Sequence, residues 1–293
     1  MTRHYVTACR RWQLPVLLFS MRLHCKPFML HVLAWDWTVA PEDRGGDWCY
    51  RTRQEFLCEN PRWRDMPGPP RQTIDQVATA RWRFAADVMH DTGQPVTIID
   101  GDQWFWSSPE SVFAEIKAAP MAVSPHRFPD AADGLPGATV ESHGKYGRFN
   151  TGWTYLADPR YATQLAEFNL TWSYTAFRPW LGREIFGDQG YVDWLQENSH
   201  GDIHIIEHPG CNVGPWNIHR YGIMKAGGRL FVVESDRPGD NMSPLVSYHY
   251  SSMRFDFDGR VRQYADPGYA VGSRQIEQIY LPYAEAVAHA GLL

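Results

Sequence analysis

The chain contains no C-x-x-C pair, and its five cysteines (Cys9, Cys25, Cys49, Cys58 and Cys211) are odd in number. Neither a disulfide framework nor a structural zinc site is indicated, and a reducing compartment is the natural setting. Long apolar runs are also missing. The stretch Leu14 to Phe19 is too short to span a bilayer and is flanked by Arg10, Arg11 and Arg22, and no signal peptide is seen. A cytoplasmic protein is expected, one that would meet a membrane-bound acceptor only at the inner face. Positive charge is not in excess either. The formal net charge is -5, so no global nucleic-acid signature or attraction to an anionic membrane is present. There is no internal repeat and no low-complexity tract.

What is there is ordinary in bulk: 293 residues, 44% apolar and 21% charged, which suits one large α/β domain or two small ones. We expect a single domain over 1–293, with an irregular insertion at about 41–72 that is rich in Pro, Gly, Arg and Trp and holds one short helix near Gln54. Thirteen tryptophans and fourteen tyrosines are many for this length. Aromatic faces suit sugar rings, but most such residues serve the core.

The most informative residues are Ile98-Ile99-Asp100-Gly101-Asp102. A short β-branched run, Val96 to Ile99, reads as a buried strand and ends in two carboxylates separated by glycine. Residues i and i+2 of a strand share a face, roughly 7 Å apart, so the pair suits a hard cation. Glycine between them leaves the backbone open to a phosphate. Asp-Gly is also a strong hairpin signal, with Gln103 to Trp106 as return strand. The flanks favour a βα rhythm. A helix from Thr73 to His90 closes at Gly93 and Pro95, and another opens at Ser108-Pro109, with Ser108 as N-cap. In doubly wound sheets, ligands bind beyond the carboxyl ends of strands, where Asp100 and Asp102 fall.

The helix before this strand carries an anomaly. At about 100° per residue, Ile74, Val77, Ala78, Ala85 and Val88 form one apolar stripe. Arg81 falls within it, while Arg83 lies on the far side. A guanidinium facing the core must find an anion, whether a structural carboxylate, the aspartate cluster or a ligand diphosphate. Should it find none, Arg10, Arg11 and Arg127 are next in line for a diphosphate. Elsewhere, strands are expected at His4–Ala8, Phe28–Trp35, Met121–Ser124, Ile203–Ile206, Arg229–Glu234 and Leu245–Tyr250, and helices at Leu14–Leu23 and Pro159–Asn169. Phe149 to Leu156 reads as a turn into a strand, and Tyr191, Val192 and Leu195 as a helical stripe. Pro125 to Gly144 is a long Pro/Gly-rich loop.

The order of motifs resembles the nucleotide-diphospho-sugar transferases of GT-A fold, with the nearest likeness to bacterial, family-eight-like glycosyltransferases. The shared pattern is Thr7-Ala8 after strand one, Asp100-Gly101-Asp102 with a following Ser-Pro, Ser124-Pro125-His126-Arg127, Asn150-x-Gly152, Asp188-Gln189, Asn212-x-x-x-Trp216-Asn217, and His249. It spans about residues 4–255. The resemblance implies a Rossmann-type α/β/α sandwich with a central, mostly parallel sheet. It implies that Asp100, Asp102 and His249 hold a divalent cation, manganese rather than magnesium because manganese tolerates imidazole better. Thr7, Ala8, Arg81, Asp100, Gly101, Asn150 and Gly152 would border the nucleotide-sugar donor. Asp188 and Gln189 would face the reacting carbon. His126, Arg127, Asn212, Trp216 and Asn217 would lie toward a carbohydrate or glycoconjugate acceptor. The expected reaction moves a sugar from a nucleoside diphosphate to an acceptor hydroxyl, with retention.

Two departures matter. The family's late histidine often opens a His-x-x-Gly-x-x-Lys stretch, whereas Tyr250-Ser251-Ser252-Met253 follows His249 here. The loop Cys9 to Gln13 has no glycine, which argues against a sugar-phosphate nucleotidyltransferase of the same fold. A non-catalytic carbohydrate- or nucleotide-binding protein, and a transferase acting on modified DNA, remain the alternative readings.

Overall fold

The computed structural model describes residues 2–34, 37, 46–63, 72–130, 142, 146–172, 178–180, 183–234, 242–256, 260–266, 268–269 and 271–290. Trp35, much of the 41–72 insertion and most of the 125–144 loop lie outside them.

Strands β1 (Arg3–Ala8), β2 (Phe28–Ala34) and β3 (Trp48–Thr52) run parallel, side by side. On the other flank of β1, β4 (Val96–Ile99) is also parallel. Strand β5 (Gln103–Phe105) leaves this sheet, while β6 (Met121–Pro125) returns to it. Strand β7 (Phe149–Leu156) is wedged antiparallel between β4 and β6. After a short hairpin, β8 (Arg178–Trp180) and β9 (Arg183–Ile185), the edge strand β10 (Ile203–Ile205) joins β6 in parallel. The result is a seven-stranded, mostly parallel sheet in the order β10-β6-β7-β4-β1-β2-β3.

Helices cover both faces because the strands are apolar on both sides, as buried parallel strands require. Val6, Val96 and Ile98 meet α3 (Gln72–Thr92), α5 (Pro159–Trp172) and α6 (Gln189–Asn198). Tyr5 and Ile99 meet α1 (Gln13–His24) and α4 (Glu110–Ile116). A third core lies beyond the sheet's end. It combines β11 (Tyr221–Ala226), β12 (Arg229–Glu234) and β14 (Ser247–His249) with α7 (Leu281–His289), and β13 (Met242–Pro244) pairs with β12 at its edge. Among the described residues no helix is long and apolar enough to cross a membrane.

Several expectations are corrected. Trp48–Thr52 is a regular edge strand, and its Thr52 caps α2 (Arg53–Glu59) through a reciprocal capping box with Glu55. Helix α4 starts at Glu110, with Pro109 at the N-cap position in place of Ser108. In keeping with the βα rhythm of the flanks, the Asp-Gly turn opens no hairpin and Gln103–Phe105 does not return along β4. It pairs antiparallel with β14, in register Gln103↔His249. The strand expected over Leu245–Tyr250 is regular only at Ser247–His249, because Leu245 donates to Leu230 of β12 while Val246 accepts from Trp106.

Buried Asp193 of α6 accepts the Arg148 backbone N–H through both oxygens, at 3.0 and 2.9 Å, tying α6 to the entry of β7. Burial outweighs these bonds and pushes its carboxyl up to about 6. The native state therefore holds this proton more tightly than the unfolded chain. The stabilisation is full below the ordinary value of 3.8 and is lost as pH rises through about 6. Relative to D193N, the wild type should lose up to about 2–3 kcal/mol of unfolding free energy between pH 4 and 7. Urea titrations at several pH values check this, and parallel curves for the two proteins would contradict it.

Candidate metal and donor site

Alternation along β4 fixes the site's first element. Val96 and Ile98 face α3, so Asp100 continues that face just past the strand, and its backbone N–H donates to Gly152 O of β7 at 3.0 Å. The chain then turns through Gly101 to Asp102. The cross-strand partner of Gln103 is His249, and the Tyr250 N–H donates to Asp102 O at 2.9 Å. Pairing between β5 and β14 thus carries a histidine from far along the chain to the two carboxylates. One ligand atom from each of Asp100, Asp102 and His249 lies within 4.8 Å of the others. His249 Nε2 is 3.1 Å from Asp102 Oδ1 and 3.5 Å from Asp100 Oδ2.

Burial works against a charged imidazole at His249. The charge and hydrogen bond of Asp102, then the charge of Asp100, outweigh it, and the ring is held above its usual value. Burial likewise opposes ionisation of Asp102, but His249 outweighs it and the carboxyl is held below the usual range. Both carboxylates are about a quarter exposed, 28% and 25%, toward the cleft. Two open carboxylates and one imidazole form a donor set that fits an oxygen-seeking divalent cation.

Arg81 is the second element. Val77, Ala85 and Val88 of its stripe pack against the sheet's core as the sequence predicts, the side chain of Ile74 lying outside the described residues, and Arg81 is 7% exposed. Its guanidinium pairs with Asp100 and donates to Thr151 Oγ1 and to Asp188 Oδ2, both at 2.7 Å. Asp188 is itself buried. Its Oδ2 also accepts from Trp82 Nε1 at 2.9 Å, and its Oδ1 accepts from Thr151 Oγ1 at 3.1 Å. Although Asp188 begins α6, its side chain does not cap the helix. Of the partners open to Arg81 in the sequence, two are found together: Asp100 of the aspartate cluster and the buried carboxylate of Asp188.

A chain of amides forms the third element, and its orientation can be deduced. The Gly152 N–H can only donate, and it meets Asn150 Oδ1 at 3.0 Å. Asn212 Nδ2 donates to the same oxygen at 3.0 Å, and Gln103 Nε2 donates to Asn212 Oδ1 at 2.9 Å. Asn150 Nδ2 is left to face Gln189, whose Oε1 accepts at 3.1 Å. Gln189 Nε2 donates to Tyr146 O at 2.9 Å, which agrees with that assignment from the other end. Gly152 allows this close approach: a Cβ there would lie 2.6 Å from His249 Nδ1 and 2.8 Å from Asn150 Oδ1.

These elements line one cleft of about 1540 Å³ at the carboxyl ends of β1 and β4. That is larger than a typical single-ligand pocket. Ala8, Arg81, Asp100, Asp102, His126, Asn150, Asp188, Gln189, Trp216 and His249 reach its wall. Other sequence-predicted residues lie behind it. Thr7 is fully buried in β1, and Asn212 is buried within the amide chain. Asn217 joins Gly214 to His126 O, at 3.0 and 2.8 Å. Arg127 sits at φ 50 and donates to the carbonyls of Cys211, Ile206 and His208, so its guanidinium braces loops. Trp216 stands edge-on to His249, with centroids 5.2 Å apart. Sequence reading did not place Trp12, Trp37, Ser251, Ser252, Asp266 and Tyr269 on the wall, and no periodicity or motif near these residues marks them.

Removing Arg81 leaves Asp188 buried and unpaired, a loss of about 3–5 kcal/mol. Arg81→Ala should lower unfolding free energy by that order, and Arg81→Lys should recover little because lysine lacks the planar fork. Arg83 is 39% exposed and paired with Asp87 at 2.9 Å, so Arg83→Ala should cost under about 1 kcal/mol. Chemical denaturation of the three variants checks this, and equal losses for Arg81→Ala and Arg83→Ala would contradict it.

No family model matches the chain. The uncharacterized protein YfnD of Bacillus subtilis (strain 168) is 25% identical over 264 residues, covering 85% of this chain and 78% of YfnD. Two crystal structures of the galactosyltransferase LgtC are similar at 13% identity. An active-site mutant has a TM-score of 0.54, covering 99% of this chain and 95% of that one. A complex with donor and acceptor sugar analogs has 0.51, covering 99% and 96%. The chain has the GT-A fold.

Proposed function

We propose that this protein is a metal-dependent glycosyltransferase that moves a sugar from a nucleoside-diphosphate sugar to an acceptor hydroxyl with retention of configuration. The observation that carries the reading is the triad Asp100, Asp102 and His249, with its ligand atoms within 4.8 Å at the floor of the cleft. A nucleotide sugar is the donor in this reading, and a carbohydrate or glycoconjugate is the acceptor.

In such a transfer the difficulty is negative charge growing on the leaving diphosphate. A divalent cation, which we take to be manganese, would be held by Asp100, Asp102 and His249 and would supply Lewis-acid neutralisation there. The protein's own residues do the rest. Arg81 neutralises Asp100 and Asp188, so that the two carboxylates can sit beside an anionic ligand. Asn150 holds the Gln189 amide with its oxygen engaged at 3.1 Å, a fixed neutral group at the cleft wall. Placed near the reacting carbon, that oxygen would stabilise positive charge on the sugar from the face the acceptor uses. Asp188, with both oxygens bonded, serves to position Arg81.

With manganese and a panel of nucleotide sugars, the protein should slowly hydrolyse one donor. Asp102→Ala and His249→Ala should each lower that rate at least about 100-fold, a loss in the range seen when one group stabilising the transition state is removed, with the fold intact by circular dichroism. Gln189→Ala should lower turnover more than donor affinity. Hydrolysis that persists in Asp102→Ala, or that is indifferent to chelator, would refute the metal-dependent reading.

A further inference from the structure

The diphosphate of a bound donor needs cationic donors besides a metal, and the chain's own arginines can be sorted for the task. Where the resembling family's stretch after its late histidine has glycine and then lysine, this chain has Ser252 and Phe255. Arg81 is committed to Asp100 and Asp188, and Arg127 to three backbone carbonyls. Among the described residues, Arg10 and Arg11 are the other arginines or lysines lining the cleft, and both are exposed to it.

Their loop is fixed against the metal-binding turn. A Cβ on Gly101 would fall 2.3 Å from Cys9 Cβ and 2.9 Å from Gln13 Oε1, so the Asp-Gly-Asp turn rests directly on this loop. Gln13 Oε1 accepts the Arg10 N–H at 2.8 Å, and Gln13 N donates to Arg10 O at 3.0 Å. On the other side, Trp37 Nε1 donates to Cys9 O at 2.9 Å. The backbone is held at both ends, and among the described residues neither guanidinium group has a hydrogen-bond or ion-pair partner while both residues line the cleft. Helix α1 follows at once, with no acidic residue in its first turn and no side chain capping it, so its positive end adds to the same field.

We propose that Arg10 and Arg11 bind the diphosphate of the donor, in place of the lysine this chain lacks. This rests on the transferase reading above. Arginine's planar fork suits phosphate oxygens, and the loop's contact with Gly101 puts both residues beside the carboxylates that would hold the cation.

The test is calorimetric binding of UDP, GDP, ADP, CDP and dTDP in the presence of manganese. For the nucleotide that binds the parent best, Arg10→Ala and Arg11→Ala should each raise Kd about 10-fold, and the double variant about 100-fold. Binding of manganese alone, followed by electron paramagnetic resonance, should stay at the parent value. Lys225→Ala, an exposed site on β11, should behave as the parent. A double variant that binds within about twofold of the parent, while Asp102→Ala loses binding, overturns this assignment and leaves the transferase reading intact. Loss of manganese binding in the double variant also overturns it, because the loop would then act by supporting the turn. A parent that binds none of the five diphosphates overturns both readings.

Discussion

Arg81 lies between Asp100 and Asp188 with Thr151 beside it, and four elements meet at that one guanidinium: α3, the end of β4, β7 and the start of α6. Two carboxylates this close to a third, Asp102, would repel one another and resist burial. A single always-charged fork satisfies Asp100 and Asp188 together, which a lysine could not do with the same geometry. The candidate site is therefore organised before any ligand arrives, and the arginine that organises it is not available to carry phosphate. That division of labour sends the search for phosphate-binding cations to the β1–α1 loop.

Backbone pairing does the second part of the work. Asp100 is placed by strand alternation, but His249 arrives because β5 abandons β4 and pairs with β14 in the register Gln103↔His249. Gly152 lets the three chains come together. Its carbonyl accepts from Asp100, its N–H donates to Asn150, and its missing Cβ leaves room for the His249 ring. The amide chain from Gln103 to Gln189 then carries this geometry across the cleft floor to the wall where a donor sugar would lie.

Much of this was legible in the residues. Val96–Ile99 has the expected bounds, and the helical stripe put Arg81 inside and Arg83 outside before any coordinates. Local signals failed where a strand's partner was remote. Asp-Gly followed by Gln103-Trp104-Phe105 admits a hairpin that the flanking helices argue against, but sequence shows the turn and not that the next strand will join β14. The edge strand Trp48–Thr52 was hidden in an Arg- and Trp-rich stretch, whereas the short helix expected near Gln54 is present as α2. In the C-terminal stretch, which lies beyond the shared motifs, Ile279, Tyr280, Tyr283 and Val287 repeat at helical spacing and are buried. The places of Asp266 and Tyr269 on the cleft wall depend on tertiary packing alone and leave no local trace.

The central claim is that Asp100, Asp102 and His249 form one cation site that a nucleoside diphosphate completes. The most direct measurement is anomalous diffraction at the manganese edge from crystals grown with manganese and a nucleoside diphosphate. The account predicts a single peak in bonding contact with an Asp102 oxygen and with His249 Nε2. A peak more than about 4 Å from His249 Nε2, well beyond coordination distance, or no peak at the Asp-Gly-Asp turn while nucleotide is bound, would contradict it.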